Sequence, residues 1–241
     1  MKKYFFPLVI VALCILSSCD NAEQWGSENL LGSFAGAYIL GDLEAVQDPF
    51  YPNANSSSPA IVIAVNTGNI SRMANHGSAG SDSLWFKALS IKHNDINYTR
   101  PMISFLNVFY SEDFVNVDII CDEDFDADHS KGSSVADIVS FNASSPKRWI
   151  DGGYLPISNS GVYDEFRLPL TKVTADNLTL LQTLPFIDEG TGEKYYEFIR
   201  LVITARPANS NIGHFTVILT TDDGKLYNLP AEVDFDYKGY W

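Results

Sequence analysis

The clearest alternation of apolar and polar positions lies near the C-terminus of this 241-residue chain. Apolar side chains occupy every second position over 215–219 and again over 227–237, and the segment Asp222-Asp223-Gly224 separates the two runs. A period of two residues is typical of a strand with one buried face. The two runs therefore predict a β-hairpin.

The length of the turn decides which residues face each other in this hairpin. A three-residue loop with Gly224 in the left-handed conformation pairs Thr221 with Lys225, and this register places all the large apolar side chains on one face. The facing pairs are then Phe215 with Ala231, Val217 with Leu229, and Leu219 with Tyr227. Because Pro230 has no amide hydrogen to donate, the second strand is predicted to lie at a sheet edge or beside a bulge.

Apolar runs between turn-forming residues predict further strands along the chain. They cover 30–40, 61–65, 84–91, 103–110, 115–121 and 195–205. In the fifth run the alternation predicts one buried face, formed by Val115, Val117, Ile119 and Cys121.

The run over 195–205 is apolar on both faces, which favours a central strand. Its alternation places Ile199 and Leu201 on one face and Phe198 on the other. Ser133-Ser134 followed by Asp137 predicts a capping box that opens a short helix.

Many short strands, frequent turns and few helical segments predict a mainly β fold, an antiparallel β-sandwich with one or two short helices. An immunoglobulin-like topology is one option for its strand order. Residues 29–241 are expected to form one sandwich domain with insertions, and a division into two domains near residue 111 is the alternative.

The N-terminus has a different pattern. Lys2 and Lys3 precede an apolar run over 4–16, which is too short to cross a bilayer as a helix and is typical of a secretory signal. The run ends in Leu16-Ser17-Ser18-Cys19, where two small residues stand directly before a cysteine. The alternatives to a lipoprotein signal are an ordinary signal peptide with a chance cysteine and an uncut membrane anchor.

The four residues 16–19 resemble the lipobox of bacterial lipoproteins. This resemblance implies a signal peptide over 1–18, cleavage before Cys19, transfer of a diacylglyceryl group to its sulfur, and acylation of the new amino group by a fatty acid such as palmitate. Residues 19–28 would then be the lipidated cysteine and a polar tether. Two acyl chains are enough for stable membrane anchoring.

The resemblance also bears on location. Asp20 directly after the cysteine resembles an inner-membrane retention signal of enterobacteria, whereas Asp20 with Glu23 resembles, loosely, the acidic pattern of surface-directed lipoproteins in Bacteroides-type bacteria. The lipobox, short tether and acidic strand-rich body together resemble uncharacterised cell-envelope lipoproteins of such bacteria. The outer membrane, on its periplasmic or surface face, is the expected location.

Charge and cysteine content limit the partners and the cross-links. The chain has a formal net charge of −14, and cleavage would also remove Lys2 and Lys3. Nucleic acid is therefore not an expected partner, because phosphate contacts need clustered Lys and Arg. Cys14 would leave with the signal and Cys19 would carry the lipid, so Cys121 has no disulfide partner and is expected to be a small core residue.

One acidic segment is a candidate metal site. Asp122, Asp124, Asp126 and Asp128 alternate along the chain, and such spacing could present oxygen ligands to Ca²⁺. The segment does not follow the EF-hand pattern, because Ala127 stands where the loop requires glycine. The alternative is a solvated strand end whose charge protects a sheet edge from aggregation. No other cofactor is expected.

Aromatic residues give the second candidate site. Arg148, Trp149 and Tyr154 lie in a segment with charge and turn glycines, which predicts a loop. Exposed rings flanked by polar groups are a common means of binding sugars. This loop is therefore the candidate site for a glycan.

Three functions are compatible with these features of the sequence. The first is a lipid-anchored, non-catalytic binding or assembly protein of the cell envelope, with an unknown protein or glycan partner. The alternative is a glycan-binding accessory lipoprotein, and an envelope hydrolase is less favoured because no nucleophile or metal cluster stands out. The expectation is therefore a protein that is not an enzyme, with no catalytic residues.

Overall fold

The computed structural model describes residues 32–48, 58–99, 107–155, 162–188 and 191–237. The predictions of a signal peptide over 1–18, of lipidation at Cys19 and of a tether over 19–28 lie outside these residues. None of the helices in the described segments is both long and apolar enough to span a membrane.

A seven-stranded sheet forms the larger layer of the fold. Its strands are β1 (Ala37–Gln47), β2 (Ala60–Asn75), β3 (Val108–Tyr110), β5 (Val139–Ser145), β6 (Asp164–Pro169), β7 (Leu184–Ile187) and β8 (Lys194–Ile203). The order across the sheet is β3-β1-β2-β8-β5-β6, and β7 also pairs with β8. The expected antiparallel pairing holds except between β1 and β3, which run parallel.

A three-stranded antiparallel sheet forms the second layer. It consists of β4 (Phe114–Cys121), β9 (Ile212–Thr221) and β10 (Leu226–Asp234), in the order β10-β9-β4. The predicted hairpin register is confirmed, because Leu219 pairs with Tyr227 and Val217 with Leu229. Gly224 has a φ of 88°, and β10, which contains Pro230, is an edge strand of this sheet.

The two sheets pack face to face, which confirms the mainly β, sandwich-like fold. The core between them, here called the inter-sheet core, contains buried side chains of both sheets, such as Ile39, Ile63 and Leu201 from the large sheet and Val217 from the small one. Chain segments on both sides of residue 111 contribute to it. The seven-plus-three division of strands differs from the four-plus-three division of an immunoglobulin constant domain.

A second apolar cluster, here called the outer core, covers the opposite face of the large sheet. Tyr38 of β1 and Phe109 of β3 point into it. The helices α1 (Gly80–Lys92) and α2 (Lys147–Asp151) cover these rings, and α2 contributes the buried Trp149. Alternate residues of β1 and β3 thus supply the two cores on the two faces of the sheet.

The prediction of a strand over 84–91 is wrong, because these residues lie in α1. Phe86, Leu89 and His93 are buried, and their spacing is that of one helix face. The aromatic and branched residues of this run favoured a strand, but a helical period places its buried side chains on the outer core.

Two bulges change the predicted faces of strands. In β4 the pairing with β9 shifts between Phe114 and Asn116, so Phe114 is buried and Val115 is 46% exposed. The prediction of a buried Val115 is therefore wrong, whereas Val117, Ile119 and Cys121 are buried as expected. A bulge is invisible to a strict two-residue alternation, because it inserts one residue into the strand.

The second bulge lies in β8, where the pairing with β2 shifts next to Phe198. Phe198 therefore lies in the inter-sheet core together with its neighbour Ile199, and not on the opposite face as predicted. It stacks on Tyr110 with 4.7 Å between the ring centroids. The prediction that this strand is central is confirmed, since β2 and β5 flank it.

The predicted capping box at Ser133-Ser134 is also wrong. Only a 3-10 helix, Ala136–Ile138, follows these residues, and the Ser134 hydroxyl donates to Asp118 instead. Two further 3-10 helices are Leu170–Lys172 and Ala175–Leu178. A capping box does occur at the latter, between Thr174 and Asn177.

Candidate functional site

A cavity lined by several polar residues lies where two strands share one edge of β8. β5 pairs with β8 only as far as Asn142, which faces Arg200, and β7 pairs with the same edge from Leu184, which faces Glu197. Between these two pairings the sheet opens into a fork. A cavity of about 410 Å³, here called the fork cavity, occupies this opening.

The fork cavity is lined by four strands, β5, β6, β7 and β8, and by the segment that leads into β7. Its lining residues are Asn142, Ala143, Ser144, Glu165, Phe166, Arg167, Gln182, Leu184 and residues 197–200. Gln182 closes the fork on one side through two hydrogen bonds to Ser144. The backbone N–H of Gln182 donates to the Ser144 carbonyl at 2.9 Å, and the side-chain oxygen of Gln182 accepts the Ser144 hydroxyl at 3.0 Å. Backbone pairing with β6 continues to Ser145, so β5 stays ordered after it leaves β8.

An ion triad lies at the cavity wall. The Arg200 guanidinium contacts a carboxylate oxygen of Asp48 at 2.9 Å and both carboxylate oxygens of Glu197 at 2.9 and 3.0 Å. Asp48 is buried, and Arg200 and Glu197 are mostly buried. Burial raises the pKa of the Glu197 carboxyl, and Arg200 opposes this shift without cancelling it.

Exposed groups complete the rim of the fork cavity. The side chains of Arg167 and Glu165 are 78% and 71% exposed, and the distance of 3.4 Å between them is long for an ion pair. The Arg167 guanidinium is therefore open to a ligand. Asn142 lies between Arg167 and Arg200 in the strand register. The cavity therefore offers amide, guanidinium and carboxylate groups of nearly balanced charge.

A second cavity, of about 560 Å³, adjoins the first and shares Glu165 and Phe166 with it. Its lining includes Lys147 and Arg148 of α2. Arg148 pairs with Asp164 at 2.7 Å, and Lys147 pairs with Asp151. Arg148, a predicted ligand-binding residue, thus lies at a cavity next to the fork.

The other two residues of the predicted glycan site lie elsewhere. Trp149 and Tyr154 are 4% and 6% exposed and belong to the outer core, so the expectation of exposed ring faces in a loop is wrong. Trp149 packs edge-on against Phe34, and the Tyr154 hydroxyl donates to Asp95 at 2.7 Å. The charged residues and glycines of this segment predict a loop, whereas residues 147–151 form the helix α2, whose apolar side is buried.

Three of the four aspartates of the predicted metal site accept hydrogen bonds from different protein groups. Asp122 accepts the Thr216 hydroxyl, Asp124 accepts the Lys131 amide, and Asp126 accepts two backbone amides. Asp128 lies on the exposed side of the loop. Among the described residues, no group of three or more His, Cys, Asp or Glu side chains is arranged to hold a metal ion.

His129 has a role in this loop that the sequence did not indicate. Its ring is almost fully buried, with Nδ1 at 2.8 Å from Asp126 and Nε2 at 3.0 Å from Asp137. Burial lowers the pKa of His129, but hydrogen bonds to Asp137 and Asp126 outweigh burial and raise it above the usual value. The acidic segment is therefore organised around the His129 ring, which lies between the carboxylates of Asp126 and Asp137.

The sequence also missed the residues of the fork cavity. Asn142, Arg167 and Arg200 belong to strands whose polar positions alternate with core residues, a pattern found on any sheet surface. Their proximity depends on β5 and β7 sharing an edge of β8, which a single strand does not reveal. No family model matches the chain, and the comparisons with curated proteins and with solved structures find no match.

Proposed function

We propose that this chain is a lipid-anchored protein of the bacterial cell envelope with a non-catalytic binding role, and that it binds its ligand at the fork cavity. The lipobox at residues 16–19 supports the anchor. The fork cavity is the observation that carries the binding role, because it is concave, polar and within the size range of ligand pockets. The outer membrane is the proposed location.

The groups at the fork cavity favour binding over catalysis. The Ser144 hydroxyl donates to the Gln182 amide oxygen and not to a base, so it is not activated as a nucleophile. Both carboxylates that flank Arg200 are tied to its guanidinium, which suits a fixed polar wall. A rigid set of donors and acceptors orients a ligand without reacting with it.

A glycan is the favoured ligand, and the alternative is a protein partner. A sugar carries many hydroxyl groups and little charge, so it suits a site whose amide, guanidinium and carboxylate groups nearly balance in charge. Phe166 lies at the border of both cavities and is only half-buried, which offers an apolar surface to a sugar ring.

Palmitate labelling tests the anchor. Cells that express the full chain are grown with labelled palmitate, and the same is done with Cys19→Ser. We expect label in the unaltered protein and none in the variant, since the sulfur is the first acylation site of a lipoprotein. Absence of label from the unaltered protein would contradict the anchor.

Glycan-array binding followed by calorimetric titration tests the cavity. Arg167→Ala removes an exposed guanidinium from the rim and is expected to weaken binding at least tenfold. Arg206→Ala is the matched control, because Arg206 is also exposed and pairs with an acidic residue, Asp236, but does not line the fork cavity. Equal weakening by both variants would contradict the site, and binding of no sugar by the unaltered protein would favour a protein partner.

A further inference from the structure

The outward side of α1 carries an apolar stripe. Leu84 and Ile91 are 71% and 56% exposed, and Ala88 between them is exposed as well. At about 100° per residue these three side chains lie opposite Phe86 and Leu89, which are buried in the outer core. The helix is therefore apolar on two opposite sides, and only one of them is covered by described residues.

The chain enters the folded body beside the end of this helix. The carbonyl of Gly32, the first described residue, accepts the Tyr98 amide, and Gly32 forms a bridge with Asn97. Ser33 donates to Asp95, three residues after α1. Cys19 lies thirteen residues before Gly32, and such a segment can span at most about 45 Å.

More exposed apolar side chains surround this point. Ile96, just after α1, is 45% exposed, and Leu155 is 66% exposed. Leu155 follows Tyr154, whose hydroxyl donates to Asp95. Single exposed apolar residues are normal on a protein surface. Here Ile91, Ile96 and Leu155 all lie near the point where the chain enters, and Leu84 lies about two helical turns before Ile91.

The charge of this face differs from that of the whole chain. α1 contains Lys87, Lys92 and a single acidic residue, Asp82, whereas the chain has a formal net charge of −14. Asp82 pairs with Arg72 at 2.9 Å, and Lys92 pairs with both Asp113 and Asp222 at 2.9 Å, so charges of the two signs nearly balance here. An anionic membrane surface is therefore repelled less by this face than by a surface with the average charge of the chain.

We propose that the α1 face, formed by Leu84, Ala88, Ile91, Ile96 and Leu155, lies on the lipid bilayer that holds the acylated Cys19. This inference rests on the proposed function, since the acyl chains bring the face to the membrane. Once the protein is anchored, contact of the face with lipid is an intramolecular step, so a few apolar side chains are sufficient. The contact holds the body in one orientation.

Fluorescence quenching by brominated lipid tests this contact. The full chain with Leu84→Cys or Ile91→Cys is purified in lipidated form, labelled with an environment-sensitive fluorophore and placed in phosphatidylcholine vesicles. Cys121 is 1% exposed and does not compete for the label. Ile212→Cys is the control, because Ile212 is 40% exposed and begins β9. The other end of β9 is the one close to α1, since Asp222, which follows Thr221, pairs with Lys92 at the end of α1.

The expected result is at least twofold stronger quenching at residues 84 and 91 than at residue 212 when brominated phosphatidylcholine is present. Equal quenching at all three positions would overturn the inference, as would efficient cross-linking of two copies through residue 84 without quenching. The mass of the same sample shows whether Cys19 carries lipid. A lipidated sample without selective quenching contradicts the α1 face alone, whereas a sample without lipid contradicts the anchor.

Discussion

The two faces of the large sheet are stabilised in different ways. The inter-sheet core is built almost entirely from apolar side chains, with Val217 and Leu219 facing the large sheet. The outer core combines aromatic rings with buried polar residues, among them Asp95 and His93. The same sheet thus packs mainly apolar side chains on one face, where the Tyr110 hydroxyl is hydrogen-bonded, and packs rings beside buried charged residues on the other.

Asp95 explains why the outer core needs polar residues. Its carboxylate is fully buried and accepts four hydrogen bonds, from the Ser33 hydroxyl, the Phe34 and Ala35 amides and the Tyr154 hydroxyl. The backbone at 33–35 is not in a regular strand, so its amides need partners from side chains. Irregular chain can pack against a sheet only when such partners are supplied, and this makes the outer core sensitive to single polar changes.

The largest expected effect follows from removing this partner. Asp95→Ala leaves several buried donors without an acceptor and is expected to lower the free energy of unfolding by about 3–5 kcal/mol. Urea-induced unfolding, followed by tryptophan fluorescence, measures it. Asp95→Asn keeps one acceptor oxygen and is expected to lose less, whereas a loss below about 1 kcal/mol in the alanine variant would show that the outer core does not depend on Asp95.

A matched change in the inter-sheet core should act through lost packing alone. Leu219→Ala removes a fully buried apolar side chain, and a loss of about 2–5 kcal/mol is expected. This loss should be the same at pH 5 and pH 8, since the removed side chain does not titrate. A loss that changes between these two pH values would contradict the separation of the two cores.

His93 should make the outer core weaker in acid. Its ring is buried near Asp113, Asp95, Lys92 and Lys147, and burial lowers its pKa below the usual 6.5. The unfolded chain then binds the proton first, so stability falls as the pH falls below 6.5, by at most about 1.4 kcal/mol per pH unit. His93→Leu should remove this part of the pH dependence of the unfolding free energy.

The exposed His214 provides the control for that experiment. His93→Leu and His214→Gln each remove one imidazole, so a difference between their profiles from pH 5 to pH 7 comes from the buried position of His93. If His93→Leu and His214→Gln gave the same profile, the buried ring would not be the source of the acid sensitivity.

His129 should give the smallest effect, with the opposite sign. Its pKa is raised, so the stabilisation is present below pH 6.5 and is lost as the pH rises through the folded-state value. Asp137→Asn should reduce the pH-dependent change in the free energy of unfolding by less than about 1 kcal/mol, because Asp137 is 65% exposed. Asp128→Asn is the control, and a profile changed equally by both variants would contradict the pairing of His129 with Asp137.

The contrast between the cores also explains how far the sequence alone could predict the fold. The register of the β9–β10 hairpin follows from one alternation and one turn, Asp222-Asp223-Gly224, because both are local. The strand order and the outer core are not local. The apolar content of residues 84–91 predicts a strand, whereas the spacing of the buried Phe86, Leu89 and His93 is that of the helix α1.

The candidate site was harder to predict than the fold. Phe198 changes face at a bulge. Asn142 and Gln182 line one cavity only because β5 and β7 share an edge of β8. Trp149 and Tyr154 lie beside charged residues in the sequence, a pattern that predicts a binding loop, yet their rings belong to the outer core. Composition can indicate a ligand site only when burial is known.

Mass spectrometry of the mature N-terminus tests the central claim most directly. The protein is purified from membranes of cells that express the full chain, and its N-terminal peptide is analysed. A lipid-anchored envelope protein predicts a peptide that begins at Cys19 and carries a diacylglyceryl group on the sulfur. A peptide with unmodified Cys19, or one that still contains residues 1–18, would contradict the account.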